Sequence, residues 1–399
     1  MITIVLLAIA AIGALSSTVF LVLAVLGALR FRRRAGARRV TVDPLPPVTV
    51  LKPLHGDEPN LRSNLASFFR QDYPAPFELI FAARSQADAG LLLARQLADE
   101  FPGVRAKFVV TGEPPWPNAK VYSLARMLEA AAYECLVISD SDVFVAPEYL
   151  RNVVAPLTDS NVGLVTCVYR GRNVGGFWSR LEALGMTAEM SSGVMVADML
   201  EGMKFALGPS MSTKRSVLQE IGGVQVLGDY CADDFMLGHI IAAAGHRVEL
   251  SHHVIDHYAL HRTFHNSVAH QVRWMRSTRF SRPAGHFGTG LTFATPFALI
   301  AAIAAPFSNV PAVCAALAAW GVLNPVIQAA VLGWVLRDRH ALRLCWLYPV
   351  RNLLGFAYWL GSYASSSVQW RAETYQLYAD GKMRPLASAE PLTGQVHHR

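Results

Sequence analysis

The sequence predicts an α/β domain with a mainly parallel sheet, flanked by transmembrane helices. Two observations lead to this prediction. Short apolar runs rich in β-branched residues alternate with helical patterns over about residues 46–283, and such alternation is typical of parallel sheets. Long uncharged segments lie before and after that region, and about 20 apolar residues in a helix can cross the hydrocarbon core of a bilayer.

The first membrane segment is predicted at residues 1–29, which carry no charged side chain. Six arginines follow it: Arg30, Arg32, Arg33, Arg34, Arg38 and Arg39. By the positive-inside rule these arginines stay in the cytosol. We therefore predict a signal anchor with its N-terminus outside and the next domain in the cytosol. A cleaved signal peptide is the alternative, although no basic residue precedes the run and no small-x-small cleavage site follows it.

The strands and helices of the middle domain can be placed individually. Strands are predicted at Val48–Lys52, Glu78–Ala83, Ala106–Val110, Cys135–Ser139 and Val162–Cys167, and helices at Leu61–Phe69, Gly90–Phe101 and Val121–Ala132. Ligands of parallel sheets bind beyond the carboxyl ends of the strands. Functional residues are therefore expected just after these strands.

A second apolar block covers residues 290–336, where Pro306, Asn309 and Pro311 mark a turn between two predicted transmembrane helices. A weaker segment at 345–370 either spans the membrane or lies at its interface. Residues 371–399 are predicted as a tail.

Composition excludes several classes of protein. The chain has 36 Lys and Arg against 29 Asp and Glu, a net charge of +7, and only 16% charged residues, against roughly 25% in soluble domains. Topology and attraction to anionic lipid explain the basic balance. No basic stripe with interleaved aromatic residues indicates nucleic acid. The 5 cysteines form no CxxC pair, which argues against a disulfide framework or a zinc knuckle.

Asp140-Ser-Asp142 directly follows an apolar strand. Two carboxylates one residue apart can share a hard divalent cation, Mg²⁺ or Mn²⁺, with the phosphate oxygens of a substrate. The alternative is a solvated turn, where Asp and Ser are common.

Asp233 and Asp234 precede a helical stretch. One acidic residue there is explained as a helix cap, and the second is a candidate general base for a hydroxyl group. Asn118 and Lys120 begin another helix, where they either bind phosphate or form an ordinary helix start.

Arg273 and Trp274 lie before the second apolar block. They are either an interfacial anchor or a clamp for pyrophosphate.

Methionines and histidines form two further patterns in the sequence. Met186, Met190, Met195, Met199 and Met203 recur on one helical face, which indicates core packing or a groove for a lipid. Histidines cluster further along the chain, at His252, His253, His257, His261 and His265. Most are expected to be structural, with one as a candidate third metal ligand.

The segment from Leu51 to Leu65, LKPLHGDEPNLRSNL, is followed by Phe68-Phe69 and Asp72-Tyr73-Pro74. It resembles the KPL-x-G-x-(D/E)-PNL-x-x-NL…FF…DYP opening of the ceramide glucosyltransferase family, which includes bacterial relatives associated with hopanoid biosynthesis. Trp370-Arg371 with Tyr375-Gln-Leu377 is similar to the family's C-terminal WR…Y-x-L segment. The resemblance covers about residues 51–377 and implies a nucleotide-diphospho-sugar transferase domain of the type A glycosyltransferase class.

The resemblance also implies residue roles. Asp88 falls at the family's first aspartate, which holds the nucleotide, and Asp140 at its second. Asp142 completes a DxD that some ceramide-type members lack. Asp234 falls at the third aspartate, the catalytic base. Arg273 and Trp274 match the end of the (Q/R)xxRW motif, whose first position is His270 here.

The implied enzyme moves glucose or N-acetylglucosamine from a UDP-sugar to a hydroxyl of a membrane lipid, ceramide or a hopanoid polyol, with inversion. The UDP-sugar is expected to contact Lys52, Asp88, Asn118, Lys120, Asp140, Arg273 and Trp274. Asp140 and Asp142 are expected to hold the Mg²⁺ or Mn²⁺, and Asp233, His270 and Met190 to lie on the acceptor side. The abundance of Ala and Arg indicates a GC-rich genome and hence a bacterial inner membrane.

Two other functions remain open from the sequence. One is a processive polysaccharide synthase, and the other is a non-catalytic membrane scaffold that binds a nucleotide sugar or a lipid.

Overall fold

A computed structural model describes residues 1–37, 44–370 and 373–386. Its larger sheet has 8 strands in the order β3-β2-β1-β4-β7-β6-β8-β5. These strands are β1 (Val48–Pro53), β2 (Phe77–Ala83), β3 (Arg105–Val110), β4 (Cys135–Ile138), β5 (Val143–Phe144), β6 (Val162–Asn173), β7 (Met211–Lys214) and β8 (Arg247–Ala259).

The first four strands confirm the predicted parallel sheet. Strand β1 pairs in parallel with β2 and β4, and β2 pairs in parallel with β3. Val50 faces Leu79 on one side and Val137 on the other, and all three are buried. Continuous apolar runs of this kind belong to strands that are covered on both faces. Strands β5 and β7 add antiparallel pairings, so the sheet is mostly rather than wholly parallel.

Helices connect the strands and surround the sheet. The helices before the second apolar block are α1 (Ile2–Ala37), α2 (Leu61–Phe69), α3 (Ala89–Glu100), α4 (Ala119–Ala130), α5 (Tyr149–Val154), α6 (Phe177–Gly185), α7 (Ser191–Leu200), α8 (Arg215–Glu220), α9 (Asp233–Ala243), α10 (Phe264–Ser281) and α11 (Pro283–Thr289). The π-helical turn Met186–Met190 joins α6 to α7. The predicted helix Leu61–Phe69 is confirmed, and α3 and α4 differ from prediction by one or two residues at their ends.

The predicted membrane segments are helical. Helix α1 has 36 residues and continues past residue 29, so that Arg30, Arg32, Arg33 and Arg34 lie on its last turns; Arg38 and Arg39 lie outside the described residues. Helix α13 (Pro311–Val335) has 25 residues. Among the described residues, α1 and α13 are the two helices long and apolar enough to cross a membrane.

The helices are shorter in the first half of the 290–336 block and in the segment 345–370. Helix α12 (Thr295–Ala304) has 10 residues, or about 15 Å, and packs against α13. Helix α14 (Arg339–Leu344) follows, and α15 (Tyr348–Ser362) has 15 residues, short of the ~20 that a span needs. Its Arg351, Asn352 and Ser362 are buried, so a polar face of α15 packs against the rest of the protein.

Strands occur in the segment predicted as a tail and also at the end of the weaker membrane segment, at residues 367–370. Strands β9 (Ser367–Trp370), β10 (Glu373–Leu377) and β11 (Met383–Pro385) form a small antiparallel sheet. Its Val368, Tyr375 and Met383 are buried together with Cys231. The backbone N–H of Met383 donates to the carbonyl of Asp229 over 2.7 Å. This sheet therefore packs against the loop that leads into α9.

Candidate functional site

The Asp140-Ser-Asp142 turn follows β4 and is supported from below by Lys52. The Lys52 side chain is fully buried, and its Nζ lies 3.9 Å from the centroid of the Phe68 ring. Nζ donates to the backbone carbonyl of Asp140 and to Ser139 Oγ over 3.4 Å. Burial lowers the pKa of Lys52 to about 7. This geometry gives Lys52 a supporting position beneath the turn. Its expected contact with the nucleotide stays a prediction.

Glu58 and Asn64, which had no predicted role, hold the same turn. Ser141 Oγ donates to Glu58 Oε2 over 2.7 Å, and Asn64 Nδ2 donates to the Ser141 carbonyl over 3.2 Å. Burial and then the charge of Asp142 raise the pKa of Glu58 to about 7. Glu58 and Asn64 both belong to the Leu51–Leu65 motif, and their place in this motif was the signal in the sequence that could have identified them.

Side chains at the start of α4 contact two carboxylates, those of Asp140 and Asp233. Asn118 caps α4, because its Oδ1 accepts from Val121 N over 3.1 Å, and its Nδ2 donates to Asp233 Oδ1 over 3.3 Å. Lys120 Nζ lies 2.6 Å from Asp140 Oδ1 and 3.8 Å from Asp233 Oδ2. Burial would lower the pKa of Lys120, but Asp140 and Asp233 raise it above its usual range. Asp233 was expected on the acceptor side, but its side chain is directed towards α4, where it contacts Asn118 and Lys120, two residues that were predicted to bind the donor.

Asp234 lies in the first turn of α9 and faces the same gap as Asp140. Its Oδ2 accepts from Gly208 N over 2.7 Å and its Oδ1 from Phe235 N over 2.8 Å. A Cβ atom added to Gly208 would lie 3.0 Å from Asp234 Oδ2 and 3.5 Å from Asp140 Oδ2. Burial, followed by the charge of Asp233, raises the pKa of Asp234 to about 6. Asp234 is thus mostly ionised at neutral pH and more basic than an ordinary aspartate.

Asp142 and His257 fit a divalent cation. His257 Nε2 lies 3.1 Å from Asp142 Oδ2, and the buried Asp142 Oδ1 has no hydrogen-bond partner among the described residues. Burial would raise the pKa of Asp142, but the charge and hydrogen bond of His257 hold it below its usual range. Carboxylate oxygens with an imidazole nitrogen suit Mn²⁺, and Mg²⁺ accepts the oxygens. His257 is therefore the histidine best placed as a third metal ligand.

The other four histidines of the predicted cluster are scattered. The His252 ring lies 5.6 Å from Phe31, and His253 Nδ1 lies 3.4 Å from Asn152 Nδ2. His261 lies beside Glu182, and His265 is exposed.

Helix α10 carries Arg273 and Trp274. The Trp274 ring centroid lies 4.5 Å from that of His270 and 6.4 Å from that of His257, so the indole stands between the two imidazoles. Burial lowers the pKa of Arg273, while the nearby Cys231 thiol and Asp234 carboxylate act to raise it. The guanidinium is thus close enough to Asp234 for their charges to interact.

The neighbouring arginines of α10 bind backbone carbonyls of the C-terminal segment. Arg276 Nη1 donates to the carbonyl of Ser367 over 2.7 Å, and Arg279 donates to that of Ser362. These hydrogen bonds hold the C-terminal segment in place. They explain the positions of Arg276 and Arg279 without a role as membrane anchors.

Asp88 lies at the N-cap of α3. Its Oδ1 accepts from Gly90 N and Leu91 N over 2.9 and 3.2 Å, and its Oδ2 accepts from Gly56 N over 2.8 Å. These hydrogen bonds join α3 to the loop after β1, and none of them reaches Asp140 or Asp234. Contact of Asp88 with the nucleotide stays a prediction.

The methionine face lies mainly in the core. Met186, Met195 and Met203 are buried, which confirms core packing for these three. Met190 is partly buried against the same core, and its expected position on the acceptor side stays a prediction.

A solved structure shares this fold. A mannosyltransferase from Pyrobaculum calidifontis, in complex with GDP-Man and Mn²⁺, has a TM-score of 0.51 over 86% of this chain and 99% of that chain, at 21% identity. At this identity the likeness shows the fold alone, which is the predicted type A glycosyltransferase fold.

Two relatives match parts of the sequence. Ceramide glucosyltransferase 1 of Caenorhabditis elegans is 31% identical over 217 residues, which are 54% of this chain and 46% of that protein. A ceramide glucosyltransferase of Komagataella phaffii is 36% identical over 126 residues, 29% of this chain and 24% of that protein. The chain thus spans at most about half the length of these curated relatives. The family model of glycosyl transferase family 21 matches residues 5–383. This match and the two relatives confirm the predicted resemblance to ceramide glucosyltransferases. The chain belongs to glycosyl transferase family 21.

Proposed function

We propose that this chain transfers glucose or N-acetylglucosamine from a UDP-sugar to a hydroxyl of a membrane lipid, a ceramide or a hopanoid polyol, with inversion at the anomeric carbon. One observation carries the proposal. Asp140 and Asp234 border the same gap at Gly208, and Lys120 stands on the Asp140 side of it. A single displacement needs this arrangement, with positive charge towards the leaving group and a base towards the attacking hydroxyl.

The donor side binds the diphosphate. Asp140, Asp142 and His257 would hold Mg²⁺ or Mn²⁺, and the bound cation supplies charge stabilisation for the departing UDP. Lys120 and Arg273 offer further positive charge to the phosphate oxygens. Asn118 fixes the start of the helix that carries Lys120.

The acceptor side uses Asp234. Its carboxylate accepts the proton of the lipid hydroxyl as the oxygen bonds to the anomeric carbon and the bond from that carbon to UDP breaks. Backbone N–H groups of Gly208 and Phe235 hold the carboxylate in place, which keeps it oriented before the lipid arrives.

The lipid approaches along the face of α6 and α7. Helix α7 packs against α1, where Arg30 Nη1 donates to the Met199 carbonyl over 3.1 Å and Arg34 Nη1 lies 3.3 Å from Asp198 Oδ2. Because α1 is the N-terminal candidate for a membrane span, α7 stands where the site meets the bilayer. Met190 and His270 belong to this side in the proposal.

The catalytic domain lies on one side of the membrane. The C-terminal end of α1 contacts Asp198 through Arg34. The residues after α13 are tied to the same domain, because Asp338 Oδ1 lies 3.1 Å from Arg172 Nη1. Both helices thus end at the catalytic domain. The arginines after residue 29 favour the cytosol for that side, and we propose that the membrane is a bacterial inner membrane.

A transfer assay on membranes that contain the full chain tests this function. Labelled UDP-glucose and UDP-N-acetylglucosamine are offered in turn with ceramide and bacteriohopanetetrol, with Mn²⁺ or with EDTA. We expect one labelled lipid carrying a single sugar, in the presence of Mn²⁺ only. The Asp234→Asn variant should lose the transfer, and the control Asp99→Asn, an exposed carboxylate on α3, should keep it.

The other outcomes separate the remaining functions. A lipid that carries a polymer would replace the proposal with a processive synthase. Binding of UDP-sugar without any turnover would favour the scaffold. Release of free sugar without labelled lipid would retain the donor site and reject these acceptors.

A further inference from the structure

A second group of side chains that could hold a metal ion lies beside Trp274. Glu182 of α6, His261 in the loop after β8 and His270 of α10 place one ligand atom each within 4.8 Å of one another. Glu182 Oε1 lies 2.8 Å from His270 Nδ1 and 3.4 Å from His261 Nδ1. The two imidazole centroids are 4.2 Å apart. Three possible ligand atoms from three separate elements therefore lie close enough together to share one ion.

The spacing suits a small divalent cation. Zn²⁺ binds nitrogen and oxygen at about 2.0–2.1 Å in tetrahedral geometry, which places neighbouring ligand atoms roughly 3.3 Å apart. The 3.4 Å separation between Glu182 and His261 matches this value, and the 2.8 Å separation to His270 would lengthen slightly on binding. Two histidines and one glutamate also form a known three-residue zinc ligand set.

The surroundings of Glu182 favour a metal ligand. Ser267 Oγ donates to Glu182 Oε2 over 2.9 Å, which leaves Oε1 as the oxygen that faces both imidazoles. Outer hydrogen bonds of this kind orient ligands in metal sites. The Glu182 side chain is fully buried, whereas the His261 side chain is 30% exposed. A cation can therefore reach the cluster from solvent through His261.

We propose that Glu182, His261 and His270 bind Zn²⁺, at a site separate from the Asp140–Asp142 turn. The Trp274 ring lies between the two places, with His270 on one side and His257 on the other. The ion joins α6, the loop after β8 and α10. Because α10 carries Arg273 and Trp274, the ion fixes the helix that presents them to the donor. Its role is one of positioning and does not depend on which sugar or lipid is used.

Metal content tests the proposal directly. The full chain is purified in detergent with an affinity tag that contains no histidine, stripped with chelator, reloaded with Zn²⁺ and washed. We expect one tightly held Zn²⁺ per chain, and its loss in His261→Ala. The matched control His265→Ala, an exposed histidine four residues away, should retain it, and so should Asp142→Asn. His397 and His398 stay in every form, so differences between variants report on the cluster.

Two further measurements guard against misfolding of a variant. Co²⁺ loaded into the wild-type protein should give the visible absorption of a tetrahedral nitrogen and oxygen site. Zn²⁺ should also raise the thermal midpoint of the wild type and leave that of His261→Ala unchanged. Equal Zn²⁺ content in the wild type and His261→Ala would overturn the proposal. The absence of a tetrahedral Co²⁺ spectrum in the wild type would overturn it as well, and Glu182 would then be a hydrogen-bonded structural carboxylate.

Discussion

Replacing Asp234 by Asn isolates the proton-accepting step. The substitution keeps the shape of the side chain and removes its charge and basicity. Both carboxylate oxygens accept a backbone N–H, from Gly208 and Phe235. An amide has one oxygen, so in either orientation its NH₂ group faces an N–H donor. The change therefore acts on stability as well as on catalysis, and the two effects need separate measurements.

The expected magnitudes differ between the two effects. Loss of one buried hydrogen bond costs about 1–3 kcal/mol of folding free energy, and relief of the repulsion from Asp233 offsets part of it. Loss of a general base lowers the rate by about 10²–10⁴-fold, which is about 3–5 kcal/mol of transition-state stabilisation. The folded protein should therefore remain, with its turnover nearly abolished.

The assay compares turnover with donor binding. Transfer of label to lipid gives kcat, and equilibrium binding of labelled UDP-sugar in the presence of Mn²⁺ gives the donor affinity. We expect kcat to fall by about 10²–10⁴-fold with donor affinity nearly unchanged, since the donor contacts lie on the Asp140 side. Asp99→Asn is the control for the chemical change. A variant that kept more than about one tenth of the wild-type rate would refute the assignment of Asp234 as the base.

The pH profile provides a second measurement of the same residue. The base acts in its ionised form, and its pKa is raised to about 6. Transfer should therefore be constant above that value and fall by about tenfold per pH unit as pH drops below it. The residual activity of Asp234→Asn should lack this acid limb. An acid limb that persisted in the variant would assign the titration to another group.

Three other substitutions test separate parts of the structure. His257→Gln should raise the Mn²⁺ concentration needed for half-maximal transfer by at least about tenfold, whereas His265→Gln should not; an unchanged Mn²⁺ titration would remove His257 from the metal site. Gly208→Ala places a methyl group 3.0 Å from Asp234 Oδ2 and should lower kcat by about 10²-fold, while Gly103→Ala, which meets no atom within 4 Å, should leave it intact. Asp338→Ala breaks a buried ion pair with Arg172 and should cost about 3–5 kcal/mol of stability. Replacing Glu113, the exposed partner of Arg84 in an ion pair, by Ala should cost at most about 1 kcal/mol of stability. Equal shifts of the thermal midpoint for the two variants in detergent would contradict this ranking.

The parallel half of the fold was predictable because its strands are short, mainly apolar runs that alternate with helical patterns. Strand β4 is buried along its whole length, and its composition shows this. Strand β7 reads Met-Ser-Thr-Lys, and its pairing with β4 and β6 depends on position in the sheet and not on hydrophobicity. Strands β10 and β11 are short and pair with each other at the end of the chain, where local pattern gives little indication of structure.

The functional residues divide in a similar way. Asp140 and Asp142 could be found because they directly follow a recognisable strand. Gly208 could not, because its role arises from a contact with Asp234, far away in sequence. For Glu58 the motif Leu51–Leu65 was the only signal, and its contact with Ser141 came from the structure. Asp233 was expected near the acceptor, yet its carboxylate contacts Asn118 and Lys120, because successive residues of a helix point in directions about 100° apart. Adjacent residues in a helix can therefore serve opposite sides of a site.

The charges around the gap explain why donor binding should require a cation. Four carboxylates lie within one connected network: Asp140, Asp142, Asp233 and Asp234. Lys120 compensates Asp140 and Asp233, and Lys52 is enclosed beneath the turn. A diphosphate brings further negative charge into this buried region, where unscreened repulsion is large. Lys120 alone cannot compensate both the carboxylates and the diphosphate, so we expect the donor to bind only together with the divalent cation proposed at Asp140, Asp142 and His257. EDTA should therefore abolish binding of UDP-sugar as well as turnover, and strong donor binding in EDTA would show that the lysines and Arg273 suffice.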